Sequence, residues 1–321
     1  MGSHLVDHLL DAMGMDVVVL DDLSGGFEDN VPAGATFVLG SILDEALVEE
    51  LFATHRFDYV YHLAAYAAEG LSHFIKRFNY RNNLLGSVNL INAAVNYGTK
   101  CFVFTSSIAV YGALPPPMRE TDVPHPEDPY GVAKLAVEHE LRVTSSMFGL
   151  PYVVFRPHNV YGERQNLGDP YRNVVGIFMN RLMRGEELTV FGDGEQRRAF
   201  TYVGDVMPAI GRSATIAAAH GQVFNVGSDV PCTVNDLAEG VMAAMGQRGE
   251  IKHVEARNEV HQAWSDHGRF AEVFGDTGRT SLSDGLERMA AWARTAGSRA
   301  GKPFEGIEIR RGLPPAWETI T

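Results

Sequence analysis

The chain has 321 residues, 45% of them apolar, enough to bury a substantial core in one large or two interlocked domains. Forty acidic against 27 basic residues give a net charge of -13, which argues against a nucleic-acid groove but leaves room for an anionic ligand held by local arginines. Two cysteines, Cys101 and Cys232, suit small buried hydrophobes in a reducing compartment, and no apolar run reaches membrane-spanning length. The N-terminus lacks a basic segment followed by an apolar core, so a cytoplasmic protein without a membrane partner is expected. Scattered histidines and isolated cysteines make a metal site unexpected.

In chain order, Val6, Leu9, Leu10 and Met13 follow Met1-Gly2-Ser3-His4 at helical spacing. The run from Asp16 to Leu20 reads as a buried parallel strand ending in Asp21 and Asp22, where a simple strand-end turn is one use for the acids. Ala35 to Leu39 is a second strand, followed by Gly40-Ser41-Ile42. Asp58 to His62 is a third, running into the small-residue stretch Leu63-Ala64-Ala65, and Tyr80 to Gly86 opens a long helix containing Asn83.

Cys101 to Thr105 is a short apolar, aromatic and β-branched run that ends directly at Ser106 and Ser107. Beyond the loop at Pro115-Pro116-Pro117, Asp128 or Pro129 opens a helix continuing to about Met147. Tyr130 and Lys134 stand four apart and project from one face of its first turns. A phenol ionises near pH ~10, and a neighbouring ammonium favours the phenolate, so the pair can make a general base working near neutrality, with Ser107 orienting a substrate hydroxyl. A Tyr-x-x-x-Lys pair also arises by chance, and it carries weight only in context.

Pro151 to Pro157 is the next strand, leading into His158-Asn159-Val160-Tyr161-Gly162. Val174 to Arg184 is helical, Leu188 to Phe191 a strand, Gly192-Asp193-Gly194 a turn, and Glu195 to Val203 an arginine-bearing strand with Asp205 capping the helix after it. Phe224 to Ser228 is a strand and turn, and the tail from Gly301 is rich in proline and charge.

The order of strand, serine, proline loop and Tyr130-x-x-x-Lys134 resembles the extended short-chain dehydrogenase/reductase family, and within it the NAD-dependent nucleotide-sugar epimerases and dehydratases. The resemblance covers nearly the whole chain. It implies an α/β fold, a Rossmann-like doubly wound parallel sheet with a smaller α/β substrate domain. The NAD-binding part is expected over residues 1–158 and 199–227, and the sugar-nucleotide part over 159–198 and 228–321. The family begins with a strand and a Gly-x-x-Gly-x-x-Gly loop whose backbone approaches the dinucleotide pyrophosphate. Here only Gly2 has a counterpart, so the first strand and two glycines are expected to be missing from this chain, through an internal start, a trimmed sequence or a cloning scar. Weak NAD retention by this chain is the consequence.

Asp21 lies about 20 positions beyond Gly2, the spacing at which an acid accepts the ribose hydroxyls of NAD. The resemblance adds Asp22, Ser41, Ile42, Leu63, Ala64, Ala65 and Asn83 to the cofactor side, with Tyr130 and Lys134; Ser41 stands where the family usually carries an acid near the adenine. On the substrate side it implies Ser107, Asn159, Arg198, Arg257, Ala263 and Asp266. Arg198 falls where a guanidinium pairs with a nucleotide diphosphate. Ala263 falls at the wall facing the sugar 2-substituent and would admit an N-acetylated sugar, with Trp264 as the alternative wall.

The implied reaction is 4-epimerisation of a UDP-hexose, with Tyr130 as base, Lys134 lowering the Tyr130 pKa and Ser107 bonding to O4. Dehydratases and decarboxylases of the family carry acids just after the strand serine, where this chain has Ile108 and Ala109. A sugar-nucleotide-binding protein without turnover is the remaining alternative. A homodimer packed through the Asn83 and Tyr130 helices is expected, the latter offering Val132, Leu135, Ala136 and Val143.

Overall fold

The computed structural model describes residues 1–257, 259–275, 279–301 and 304–318. Helix α1 (Gly2–Asp7) runs into a π turn and buries Leu5, Val6 and Leu9. There follow β1 (Val18–Asp21), β2 (Thr36–Leu39), α2 (Glu45–His55), β3 (Tyr59–His62), the short α3 (Glu69–Ser72) and α4 (Lys76–Tyr80), and α5 (Gly86–Asn96). β4 (Cys101–Thr105), α6 (Pro129–Phe148) and β5 (Tyr152–Pro157) complete the first half. The second half carries β6 (Val160–Tyr161), α7 (Val174–Met183), β7 (Leu188–Phe191), β8 (Arg197–Ala199), β9 (Thr201–Tyr202), α8 (Val203–Ser213) and β10 (Gln222–Val226). It ends with β11 (Pro231–Thr233), α9 (Val234–Met245), β12 (Ile251–Val254), β13 (Gln262–Ala263), α10 (Gly268–Phe274), α11 (Leu282–Ala296) and α12 (Pro315–Glu318).

The central sheet is parallel throughout, in the order β10-β5-β4-β3. Helices cover both faces, so its strands are apolar in continuous runs and do not alternate with polar positions. Every residue of β4 is buried. Cys101 and Val103 face Val153, Phe155, Ile210 and Phe224 on one side. Phe102 and Phe104 face Val48, Phe52, Ile91 and Val137 on the other. A separate core joins α7, α9 and α11 through Phe178, Met179, Leu237, Val241, Met289 and Ala290. The arginine-bearing stretch before α8, expected as one strand, is two short ones, β8 and β9, pairing with different partners.

β1 and β2 form a second parallel pair of their own, and among the described residues no strand joins β1 to β3. Instead, Val18, Val19, Leu20, Tyr59, Val60 and Tyr61 all wall one cavity of about 1240 Å³, which extends to the C-terminal ends of the strands. Among the described residues no helix is long and apolar enough to cross a membrane.

One buried ion pair ties the long helix to the sheet. Arg156 on β5 donates from Nε and Nη2 to the two oxygens of Glu138 on α6, at 3.0 and 2.6 Å. Ser106 Oγ donates to the same carboxylate at 2.5 Å, and Arg156 Nη1 donates to the Tyr111 hydroxyl, which itself donates to Asn225 Oδ1. Both charged side chains are about 95% buried, at 5% and 6% exposure. Removing one partner strands the other charge in a low-dielectric site. Arg156→Leu is expected to destabilise the protein by about 3–5 kcal/mol, whereas Glu138→Leu with Arg156→Met together retain most of the stability. Urea midpoints of the three proteins check this; equal losses in the single and double variants would refute it.

Candidate active site

The start of α6 sets the geometry of the site. Asp128 caps the helix, its carboxylate accepting from the Gly131 N–H at 2.9 Å, and Pro129 occupies the first helical position. Gly131 lets the helix approach the turn after β4: a β-carbon there would lie 2.6 Å from the Ala109 carbonyl oxygen. Tyr130, Lys134 and Glu138 consequently share one buried face, pointing at the C-terminal end of β4. Ser107 leaves β4 in extended conformation and caps the Ile108–Tyr111 turn, accepting from the Ala109 N–H at 3.1 Å. Ser107, Tyr130 and Lys134 all line the large cavity.

The electrostatics differ from the sequence expectation of an ammonium lowering the phenol. Lys134 Nζ donates to the Thr105 carbonyl at 2.8 Å and lies 4.6 Å from the Phe104 ring centroid, but 5.8 Å from that of Tyr130. Burial pushes this ammonium down to about 7, against the opposing pull of Glu138. Burial pushes the Tyr130 phenol up, the negative charge of Glu69 adds to that, and the Ser107 hydroxyl opposes it. The phenol is therefore held protonated. Lys134 is turned to the main chain and acts on Tyr130 only at a distance.

On the expected cofactor side, Gly2, Asp21, Asp22, Ile42, Leu63, Ala64 and Ala65 line the same cavity. Asp21 and Asp22 each accept one N–H of the turn after β1, from Leu23 at 2.7 Å and Ser24 at 2.9 Å, which leaves a second oxygen on each. Ser41 lies off the cavity wall and accepts from the Leu43 N–H. Asn83 is buried off the wall as well. Its amide clamps the main chain of Tyr66 through both N–H and C=O and donates to Asn79, so it shapes the turn after Ala65 from behind.

On the expected substrate side, Asn159, Arg198 and Arg257 line the cavity. Arg198 donates to the carbonyls of Val260 and His261, and Arg257 pairs with Glu259 at 3.1 Å. Arg257 also lies 4.6 Å from the Phe191 ring centroid and 5.9 Å from that of Trp317. Its Nε is buried and has no hydrogen-bond partner among the described residues. Ala263 lies off the cavity wall, buried with Ile108, Val110, Tyr111 and Met118, and the cavity wall there is Val260. Asp266 caps the Gly268 N–H at 2.9 Å and is tied by its main chain to Met118 and Asn225.

Three contributors to this site escaped the sequence reading. Glu69 follows the small residues after β3 and enters the cavity beside Tyr130 and Asp128. Its side chain is open to the cavity, yet protein surrounds it; that enclosure governs its proton affinity, and burial, with the Asp128 charge next, pushes its carboxyl up to about 7. A lone acid directly after the alanine-rich stretch Ala64 to Ala68 was the available signal. Glu138 was legible as the third member of the Tyr130, Lys134 face. Trp317, 3% exposed, brings the C-terminal tail onto Arg257, Tyr171 and Phe74, and an isolated tryptophan in a charged tail was its only mark.

Residues 1–227 match the NAD dependent epimerase/dehydratase family. The chain is 34% identical over 303 residues to the UDP-glucose 4-epimerase of Mycolicibacterium smegmatis, covering 91% of this chain and 95% of that one. It is 28% identical over 313 residues to the UDP-N-acetyl-alpha-D-glucosaminuronate decarboxylase of Bacillus cytotoxicus, covering 91% and 94%. Among solved structures, the UDP-glucose 4-epimerase of Thermotoga maritima with UDP-glucose superposes with a TM-score of 0.84 at 37% identity, covering 92% of this chain and 96% of that one. With the parallel sheet, the serine at the end of β4 and the Tyr130, Lys134 face of α6 in place, the chain belongs to the NAD-dependent epimerase/dehydratase family of nucleotide-sugar enzymes.

Proposed function

We propose that the protein catalyses 4-epimerisation of a UDP-hexose of the glucose/galactose type through a transient 4-keto sugar. The observation that carries the reading is the convergence of Ser107, Tyr130 and Lys134 on one wall of the cavity, with the apolar Ile108 and Ala109 immediately after the serine. The residues present suit NAD. Asp21 and Asp22 each keep a carboxylate oxygen for ribose hydroxyls, Lys134 Nζ has a hydrogen bond to only one protein acceptor among the described residues, and Ala64 and Ala65 keep the end of β3 low. When bound, NAD supplies a reversible acceptor for the C4 hydride.

In this reading Tyr130, once deprotonated, takes the O4 proton and later returns it, Ser107 aligns that hydroxyl, and Lys134 would hold the nicotinamide ribose. Arg198 and Arg257 hold the diphosphate, in exchange for their contacts with Glu259. Asn159 supplies a polar contact at the mouth. Tyr130→Phe is expected to lose on the order of 10²–10⁴ in kcat for UDP-galactose while retaining the fold. The anomeric proton signals of UDP-galactose and UDP-glucose, followed by NMR in the wild type and the variant, check this. Wild-type conversion to a 4-keto-6-deoxy sugar would remove the epimerase reading.

Glu69 favours a second reading, elimination of water from the 4-keto sugar. A carboxyl that keeps its proton near neutrality, standing by Tyr130, is suited to protonate a departing hydroxyl. Glu69→Gln separates the two. Under epimerisation the variant is expected to keep kcat within about tenfold, because Tyr130 alone moves the O4 proton; under elimination product formation falls roughly 10²-fold or more. Product identity and rate in the same NMR assay decide.

We propose further that two copies associate through α5, the turn before it and α6, where Leu85, Val132, Val143, Met147 and Phe148 are exposed. Sedimentation velocity at micromolar concentration is expected to show a dimer; Val143→Glu with Met147→Glu is expected to yield the monomer.

A further inference from the structure

Between the end of β5 and the start of α10, a buried set of polar side chains lies outside the cavity. His158, 1% exposed, and His267, 7% exposed, approach through their Nε2 atoms at 3.0 Å, with ring planes 17° apart. The other nitrogen of each ring is committed. His158 Nδ1 lies 3.1 Å from the Ala199 carbonyl oxygen, which can only accept, so this nitrogen carries the hydrogen. His267 Nδ1 lies 2.5 Å from Asp229 Oδ1, while the Arg279 guanidinium takes the other carboxylate oxygen, so this nitrogen carries a hydrogen too. Two neutral rings in these tautomers would face each other with lone pairs only. Ser265 Oγ, 3.2 Å from His267 Nε2, can satisfy one of them and not both. The His158 ring packs directly on Gly227, where even a β-carbon would overlap its Nε2.

We infer that one proton is held between the rings, as a His267 imidazolium donating from Nε2 to His158 Nε2, and that this charged link positions the substrate side of the active site. The groups facing it are Asp229 and Arg279 on the segments after β10 and before α11, His158 after β5, and Ser265 on its own segment. Burial, and after it the positive charge of His267, push His158 down to about 3, which makes His158 the acceptor.

The link joins three segments that reach the cavity. His158 precedes Asn159, whose φ of +42° is held by its amide donating to the same Ala199 carbonyl at 3.1 Å. Ala199 follows Arg198 on β8, and His267 follows the segment of Glu259 and Val260. The residues of the link touch no reacting atom in this arrangement; they are positioning residues. The bond exists only while the proton is bound. Without it two lone pairs oppose each other across the 3.0 Å gap.

The protonation is read by long-range ¹H–¹⁵N spectra of the ¹⁵N-histidine-labelled chain at pH 7, assigned with His158→Phe and Asp229→Asn. Expected is one histidine, His267, protonated on both ring nitrogens, and His158 in the Nδ1–H form; two neutral rings would overturn the inference. The positioning is read by amide hydrogen exchange over residues 158–161 and 263–267. Exchange is expected to quicken roughly tenfold in His158→Phe at pH 7. Unchanged protection would overturn it. A kinetic arm rests on the UDP-sugar reading: KM for UDP-glucose is expected to rise roughly tenfold in His158→Phe with kcat within about twofold. A KM matching wild type would overturn the positioning role, whereas a wild type that turns over no UDP-sugar would sink the functional reading alone, with the spectra and exchange still deciding the link.

Discussion

The site depends on one constraint: α6 must bury a phenol, an ammonium and a carboxylate on a single face against the end of a parallel sheet. Buried charges are tolerated only when paired and hydrogen-bonded. Glu138 meets that condition through Arg156 and Ser106, and its anchoring sets the rotation of the helix. Tyr130 and Lys134, two turns and one turn earlier, inherit that rotation and arrive at the end of β4 beside Ser107. The network continues through Tyr111 to Asn225 on β10, so the helix, the serine turn and the far edge of the sheet are positioned together.

The same burial governs the chemistry. In water an ammonium four residues from a phenol would favour the phenolate. Here desolvation acts on both groups in the direction of their neutral forms, pushing Lys134 down and Tyr130 up. The nearby carboxylates of Glu69 and Asp128 reinforce the second shift. A protonated phenol beside a serine is a group that surrenders its proton only when a substrate oxygen at hydrogen-bond distance supplies the driving force. Taking the O4 proton requires the phenolate, so in the proposed cycle the Tyr130 proton leaves first, the phenolate then accepts the proton of O4, and that proton is returned when the keto oxygen is reduced.

Much of the fold was legible because the elements follow strong local signals. The run Cys101 to Thr105 is fully buried β4, and the helix expected from Pro129 to about Met147 spans Pro129–Phe148. Asp128 and Pro129 specify its start by capping and fixed φ. Less legible was the stretch Glu195 to Val203. It was expected as one arginine-bearing strand, but Phe200 stands outside both β8 and β9, which pair in different sheets. For the site, spacing placed Ser107, Tyr130 and Lys134 together because four residues along a helix have fixed geometry. Ala263 and Asn83 show where spacing stops informing. Whether a side chain faces the cavity or the core behind it depends on neighbours remote in sequence, such as Met118 for Ala263 and Tyr66 for Asn83. Glu69 and Trp317 reach the site from segments with no periodic pattern at all.

The position of the carboxylates bears on which member chemistry this cavity can support. An acid directly after the strand serine would stand on β4's own extension, fixed in relation to Tyr130. Ile108 and Ala109 remove that option, and the cavity acids that act on the charge of Tyr130 come from α3 and the cap of α6. Ser72 couples them: its hydroxyl donates to the Glu69 carbonyl at 2.6 Å and accepts from the Tyr130 N–H at 3.3 Å. Facing them, Arg198 and Arg257 are braced by Glu259 and by the aromatic surface of Phe191 and Trp317. The cavity thus has a basic wall that favours a diphosphate and an acidic corner at the end of α6. In the proposed reading a sugar nucleotide held by its diphosphate on the first wall would present its ring to the second, where Tyr130 stands.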